Sequence, residues 1–243
     1  MNGNRGILGA SLIAIGIAAA GWQVGHGFSQ GRAVDRFVTV KGVSERGVEA
    51  DLALWPLQFV SADNDLSRAQ RRLDESIRVT LAFLAEQGLD TTETRLQGLR
   101  VTDVLANPYQ QQRTVNRFVV QQTLVLRSTE PRRALAASER IGKLVDAGVV
   151  LSSGSEYGIG GPTFLFTGLN DIKPEMIAEA TARGREAAEQ FAADSRSRIA
   201  GIRRANQGVF VILPRDQAPG LTEQGQLEKT VRVVSTIEYF LED

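Results

Sequence analysis

The chain has 243 residues, 42% of them hydrophobic and 23% charged, with 28 basic side chains against 28 acidic ones. Set apart from a distinctive N-terminus, that length fits one large domain or two small, intimately joined ones, and the balanced charge gives no argument for nucleic acid as a partner. There is no cysteine and a single histidine, His26. Disulfides, thiolate catalysis and Zn–Cys sites are excluded, and the folded region has no imidazole for a Ser–His–Asp relay or for a His-ligated metal.

The run Ile7–Val24 carries no charge and one strongly polar side chain, Gln23. As a helix, such a run of residues rises about 27 Å, close to the ~30 Å hydrocarbon core of a bilayer. Trp22 falls where an interfacial aromatic is favoured. The Gly-rich stretch Gly25–Gly31 then reads as a linker. Two fates are compatible with this pattern. Ala18-Ala19-Ala20 before Gly21 offers a small-residue cleavage site, which would leave a soluble periplasmic protein. The thin basic leader, with only Arg5 and the α-amine, and the length of the apolar run favour an uncleaved signal-anchor at the inner membrane. Arg32, Arg36 and Lys41 follow the segment, so flanking charge does not itself favour the topology that exports the domain.

Beyond the linker, Phe37–Val43 reads as a short strand, with Gly42 and Gly47 bracketing a turn, and Val48–Ser61 as a longer one. Leu52 and Leu54 are in one phase and Leu57 and Phe59 in the other, so a bulge or an edge position at Pro56 is expected. Asp63-Asn64-Asp65 offers cap oxygens for a helix reaching about Gln87. Its stripe is Leu66, Ala69, Leu73, Ile77, Leu81 and Leu84, and Gly88 stands at the C′ position. Arg68, Arg71, Arg72 and Arg78 fall mostly off that stripe and read as a solvated face, with Glu75 pairing Arg71 and Asp74 pairing Arg78.

Strands are expected near Thr94–Leu105 and Thr114–Arg127, the second with Phe118, Val120, Leu124 and Leu126 on one face. Asn107-Pro108-Tyr109 marks the hairpin tip between them. A helix over Glu130–Asp146 follows, capped by Thr129 and stopped by Gly148. Then come a strand Val149–Tyr157, a Gly158–Pro162 break, a short strand Thr163–Thr167 and a long Ala-rich helix over about Lys173–Arg198. The last strands are Gly208–Leu213 and Lys229–Leu241. The order strand–helix–strand–strand thus occurs twice, at about 48–127 and 149–241. The expected class is α+β, with helices on one face of mainly antiparallel sheets. The expected division is an N-terminal anchor and linker over 1–31 and an extracytoplasmic domain over 32–243.

No catalytic, cofactor or metal residues emerge. Gly154–Gly161 leads into Pro162 and a strand, not into the helix N-terminus that a phosphate loop needs. A Ser–Lys pair would have to use Lys41, Lys143, Lys173 or Lys229, none of which stands in a Ser-x-x-Lys motif. Asp63/Asp65 and Asp171/Glu175 lie at helix starts, where capping accounts for them. The alanines and glycine at 178, 180, 182, 184, 187, 188, 192 and 193 make the long helix slim, suited to close packing within the fold or to a subunit contact.

Taken together, Val38-Thr39-Val40-Lys41-Gly42, Ala50-Asp51, the Asn107–Tyr109 tip, the Val119–Leu126 strand and the Ala-rich helix ending in Ile199-Ala200-Gly201-Ile202 resemble the SIMPL-domain family of bacterial envelope and periplasmic proteins. The run Ile202–Phe210 is similar to its membrane-anchored branch. Two departures stand out: Arg117-Phe118 replaces a Gly–aromatic pair, and a glycine late in the long helix is missing around Ser195–Ser197. The resemblance implies an exported, often oligomeric protein linked in some members to oxidative or envelope stress, with no settled enzymatic activity and so no functional residues to transfer. The first expectation is therefore a non-enzymatic, self-associating envelope protein. The second is a periplasmic module that binds a small ligand or partner, and an enzyme of unrecognised type comes third.

Overall fold

Alternation of apolar and polar side chains sets the strands, and 3–4 spacing sets the helices. In the computed structural model the described residues are 16–17, 20–23, 36–106, 116–152 and 161–242. The strands are β1 (Phe37–Glu49), β2 (Leu52–Asp63), β3 (Arg95–Asp103), β4 (Phe118–Ser128), β5 (Thr163–Leu165), β6 (Arg198–Gln207), β7 (Val211–Pro214) and β8 (Glu228–Glu242). The helices are α1 (Leu66–Glu86), α2 (Pro131–Glu139), α3 (Gly142–Asp146) and α4 (Leu169–Asp194). This is an α+β fold with two antiparallel sheets. The chain divides into two compact units, one made of residues up to Lys41 with Gly184–Asn206 and Thr236–Asp243, the other of Gly42–Arg183 and Gln207–Ser235.

The larger unit holds the sheet β3-β4-β2-β5. Ala53, Trp55, Leu57 and Phe59 of β2 and Val120, Leu124 and Leu126 of β4 point to one face. There they meet Ala69, Leu73, Ile77 and Leu84 of α1, Ala134 and Ala137 of α2, and Leu144 of α3. Fully burying a side chain of the Leu or Phe class is worth about 1.5–3 kcal/mol, so this one face supplies most of the unit's cohesion. Of the two expectations for Pro56, the bulge is absent and the proline instead stands at a locally unpaired edge. Pairing of β2 with β4 runs unbroken from Ala53↔Ser128 to Asp63↔Phe118. Trp55, only 1% exposed, keeps the inward phase between Ala53 and Leu57. Ser152 N–H donates to Gln58 O and Val60 N–H to Val150 O, so alternation turns the Pro56 nitrogen to that same side. β5 pairs only Leu52–Leu54, so Pro56 occupies a gap where no ladder donor is needed.

The same unit has a second core, where Met176 and Ala180 of α4 pack with Val231 and Val233 of β8. The start of α4 is tied to the break between β1 and β2. The Asp51 carboxylate accepts from Thr167 N–H at 2.9 and 3.0 Å and from Gly168 N–H at 3.0 Å. That anchor sets the helix start ahead of the expected Lys173, with Pro174 inside the helix. In the smaller unit, Ala188 packs with Val38, Val40, Ile237 and Tyr239. The buried positions of α4 are Met176, Ala180, Gly184, Ala188 and Ala192, every fourth residue. Ala178, Ala182, Ala187 and Ala193 are exposed.

Several boundaries differ from those read in the sequence. β1 continues through Gly42 and Gly47 to Glu49, without the expected turn. The expected helix Glu130–Asp146 is two helices, separated where Arg140 and Ile141 bond back three residues to Ala137 and Ser138 and Gly142 follows. Thr129 is not its cap; Glu130 holds that position, its carboxylate accepting from Arg133 at 2.9 Å and not from a helix N–H. Of Val149–Tyr157, Leu151 forms an isolated bridge to Phe59, and residues 153–157 lie outside the described residues, as do the hairpin tip Asn107–Tyr109 and the Gly158–Gly160 part of the break. Residues 198–207, read partly as helix, form the strand β6.

The end of α4 explains that last difference. Arg196 N–H bonds to Ala193 O and Ser197 N–H to Ala192 O, with Arg196 at φ 55°. This is a Schellman stop, and the same pattern ends α1 at Gly88 (φ 76°) and α3 at Gly148 (φ 83°). The glycine missing around Ser195–Ser197 is thus the left-handed residue of the third stop, and an arginine occupies its place. A left-handed residue with a Cβ costs roughly 1–2 kcal/mol. Arg196→Gly should therefore raise stability by about 1 kcal/mol, read as a higher urea midpoint with an unchanged slope. Gly208 presents the opposite case. A Cβ there would lie 2.7 Å from the Val234 carbonyl oxygen, which already accepts the Gly208 N–H at 2.8 Å. Gly208→Ala should cost about 1–3 kcal/mol by thermal or urea denaturation, the range for forced overpacking.

Candidate functional site

A cleft of about 790 Å³ opens in the larger unit. One wall is the first turns of α1, with Arg68, Arg71, Arg72, Glu75, Ser76 and Val79. The other is the end of β2 (Val60–Ala62) and the turn Ala147–Val150 that follows α3. The strand places Val60 and Ser61 along the floor, and after the Gly148 stop Val149 turns into the core while Val150 reaches the rim. Helical spacing of three and four aligns the guanidinium groups of residues 68, 71 and 72 on one stripe.

Asp63, the last residue of β2, organises that wall. It is 7% exposed. Its Oδ1 accepts from Asp65 N–H at 2.9 Å and from Arg68 Nε at 3.0 Å, while Oδ2 lies 3.3 Å from Arg72 Nη1. Asp65 in turn caps α1 by accepting from Arg68 N–H at 2.9 Å. The Asp65 backbone hydrogen bond is the leading reason that the Asp63 carboxyl sits below its ordinary range. Burial opposes it, and the Arg68 hydrogen bond and the charges of Arg68 and Arg72 reinforce it.

Arg71 is placed differently. The expected Glu75–Arg71 pair is not formed. Glu75 Oε2 accepts from Arg78 Nε at 2.9 Å, and the second Arg78 nitrogen bonds Oε1. Asp74 does not pair with Arg78 but accepts from Gln70 at 2.9 Å. Among the described residues Arg71 has no hydrogen-bond or ion-pair partner, and it lines the cleft as an uncompensated cation. Arg68, Arg71, Arg72 and Arg78 are exposed, as a solvated face requires, but the sequence reading did not see that the first three also line a cleft. The available signal was their spacing beside the Asp63–Asp65 cap, but the opposing wall arrives from a turn about eighty residues away in sequence.

The remaining candidates are dispersed. Lys229 is 1% exposed and donates to Glu223 O at 2.6 Å and to the Glu223 carboxylate. Lys173 donates to Asn170 at 2.8 Å and lies 5.8 Å from the centre of the Phe210 ring. Lys41 and Lys143 have no partner among the described residues. Glu175 pairs with Arg46 at 2.7 Å. The buried Ser44 hydroxyl donates to Glu179 at 2.8 Å, which with Arg183 and Arg46 holds that carboxyl below its ordinary range. Among the described residues no cluster of His, Asp or Glu is arranged to hold a metal ion. Nor is any described helix long and apolar enough to cross a membrane. Ile7–Val24 lies mostly outside the described residues; Gly16–Ile17 and Ala20–Gln23 are helical.

A second feature is the sheet edge. β3 is the outermost strand, exposed along nearly its whole length, with Leu96, Leu99 and Val101 at 51%, 57% and 47% and Leu105 just beyond at 73%. A bulge between Gln97 and Arg100, with Gly98 at φ 66°, bends it against β4.

The Asp63 knot has a pH signature. Because its folded pKa lies below the unfolded value of about 3.9, its contribution is fully present above that value and is lost as pH falls through the folded pKa. Asp63→Asn should be destabilised at pH 7. The gap in urea midpoint between it and the natural protein should shrink steadily below about pH 4.

The chain matches the SIMPL family, described as a protein of unknown function (DUF541), over residues 38–237. No curated protein matches it significantly. The match covers the strands and helices of both units, from β1 to most of β8, and on that ground the chain belongs to the SIMPL family.

Proposed function

We propose that this chain is a non-enzymatic envelope protein, held at the inner membrane by Ile7–Val24 with its folded domain in the periplasm, that works by self-association. The observation carrying the reading is the exposed β3 edge. An outer strand presents unpaired backbone groups, and natural edges are ordinarily covered or charged. Here the edge and its continuation carry Leu96, Leu99, Val101 and Leu105 in the open. The chemistry of the strand suits a second copy of itself: antiparallel pairing about Leu99 sets Arg95 of each copy opposite Asp103 of the other. The apolar N-terminal run supplies the anchor, and the envelope setting and stress-tolerance role are those that the resemblance to SIMPL proteins implies.

Light scattering of a fragment lacking the first 35 residues should give a mass several times that of one chain, stable on dilution. Leu99→Lys combined with Val101→Lys should lower it to that of one chain without loss of helix content. A strictly monomeric fragment would overturn the assembly. Protease added to intact spheroplasts should remove the domain of the full chain, and complete protection would overturn the periplasmic placement.

A further inference from the structure

We infer that the arginine-walled cleft between α1, the end of β2 and the Ala147–Val150 turn is a binding site for a small amphiphilic anion, a carboxylate or phosphate borne on a short apolar body. This assignment rests on the cleft and not on self-association. A volume of about 790 Å³ lies within the ~300–1,000 Å³ range of small-molecule sites.

The lining divides by chemistry. Val60, Val79 and Val150 are apolar, and Val150 is 61% exposed at the rim. With them α1 contributes three guanidinium groups, of which two are already committed. Arg68 and Arg72 share the Asp63 carboxylate, which fixes their positions and offsets part of their charge. Arg71 is committed to nothing among the described residues. A guanidinium presents a planar fork of donors that matches a carboxylate or phosphate bidentately. The head of the anion therefore meets Arg71, with Arg68 and Arg72 contributing field, and the body lies along the valines.

The pairing on α1 makes the site adjustable. Glu75 lies three residues from Arg78 and four from Arg71, and one carboxylate cannot form a two-point pair with both. Arg78 holds it through two nitrogens, which leaves Arg71 available. Arg78 does not line the cleft, yet its removal would release Glu75 to Arg71 and close the site electrostatically.

Isothermal titration of the full-length chain tests this with hexyl phosphate, hexanoate, inorganic phosphate and hexanol. Hexyl phosphate and hexanoate should bind one per chain and weaken as salt is raised. Inorganic phosphate should bind more weakly, and hexanol not detectably. Arg71→Ala should weaken hexyl phosphate roughly tenfold or more, as expected when a charged hydrogen-bond donor is lost. Arg78→Ala should weaken it too, Glu75→Gln should tighten it, and Arg185→Ala, on exposed α4, should change nothing. Equal binding of hexanol and hexyl phosphate would overturn the inference. So would unchanged binding in a folded Arg71→Ala variant, or an Arg78→Ala variant that binds as the natural chain does.

Discussion

A carboxylate that is 7% exposed needs donors wherever it sits, because a buried charge left unpaired is strongly destabilising. Asp63 takes them from one backbone N–H and two arginine side chains, all within the next nine residues. This requirement couples three things that the sequence keeps separate. β2 ends at Asp63, α1 begins with Asp65 as its cap, and Arg68 and Arg72 turn back toward the strand. The angle at which α1 leaves β2 then lets Ala69, Leu73 and Ile77 reach Trp55, Leu57 and Phe59.

The helix ends follow a second local rule. α1, α3 and α4 each stop on a left-handed residue, and the residue after it bonds back to the last turn. After α1 and α3 that next residue is Leu89 or Val149, buried at 4% and 3%, so the stop is secured by an apolar contact. After α4 it is Ser197, 8% exposed, whose hydroxyl accepts a hydrogen bond from Arg36. The third stop therefore combines an unfavourable residue at the turn with a polar contact beyond it. It works because the turn is fixed at both ends: Ala192 is buried, and β6 begins at once with Arg198.

What was legible in the sequence was what packs against its own period. α1 declared itself by its cap, its stripe and Gly88. β4 did so by Val120, Leu124 and Leu126, and the α+β class followed from the order of such segments. What was not legible depended on neighbours. β6 is a nearly bare strand, exposed on both faces, so it carries no period-two signal and its sequence borrows the look of the helix before it. Pro56 suggested a bulge because a proline disrupts a ladder only where a donor is wanted, and the gap beside β5 is set by pairing far along the chain. The start of α4 was hidden for a similar reason, since Asp51 caps its approach from the far side of the fold. The cleft was illegible as a cleft for the same cause: its arginines are local, but its second wall is not.

Local rules nevertheless constrain what that cleft can do. On α1, residues 68, 71, 72, 75 and 78 are bound by helical geometry to a small set of mutual pairings. Asp63 claims Arg68 and Arg72 from outside the helix, because it lies at the strand end and not on the helical ladder. Glu75 then has two basic neighbours within reach and is held by Arg78, while Asp65 accepts from the Arg68 N–H and Asp74 from Gln70. Arg71 is left without an ion-pair partner among the described residues. Of the two basic neighbours of Glu75, Arg71 lines the cleft with Arg68 and Arg72, whereas Arg78 does not. The surplus charge on α1 is therefore carried by an exposed side chain that also lines the concavity.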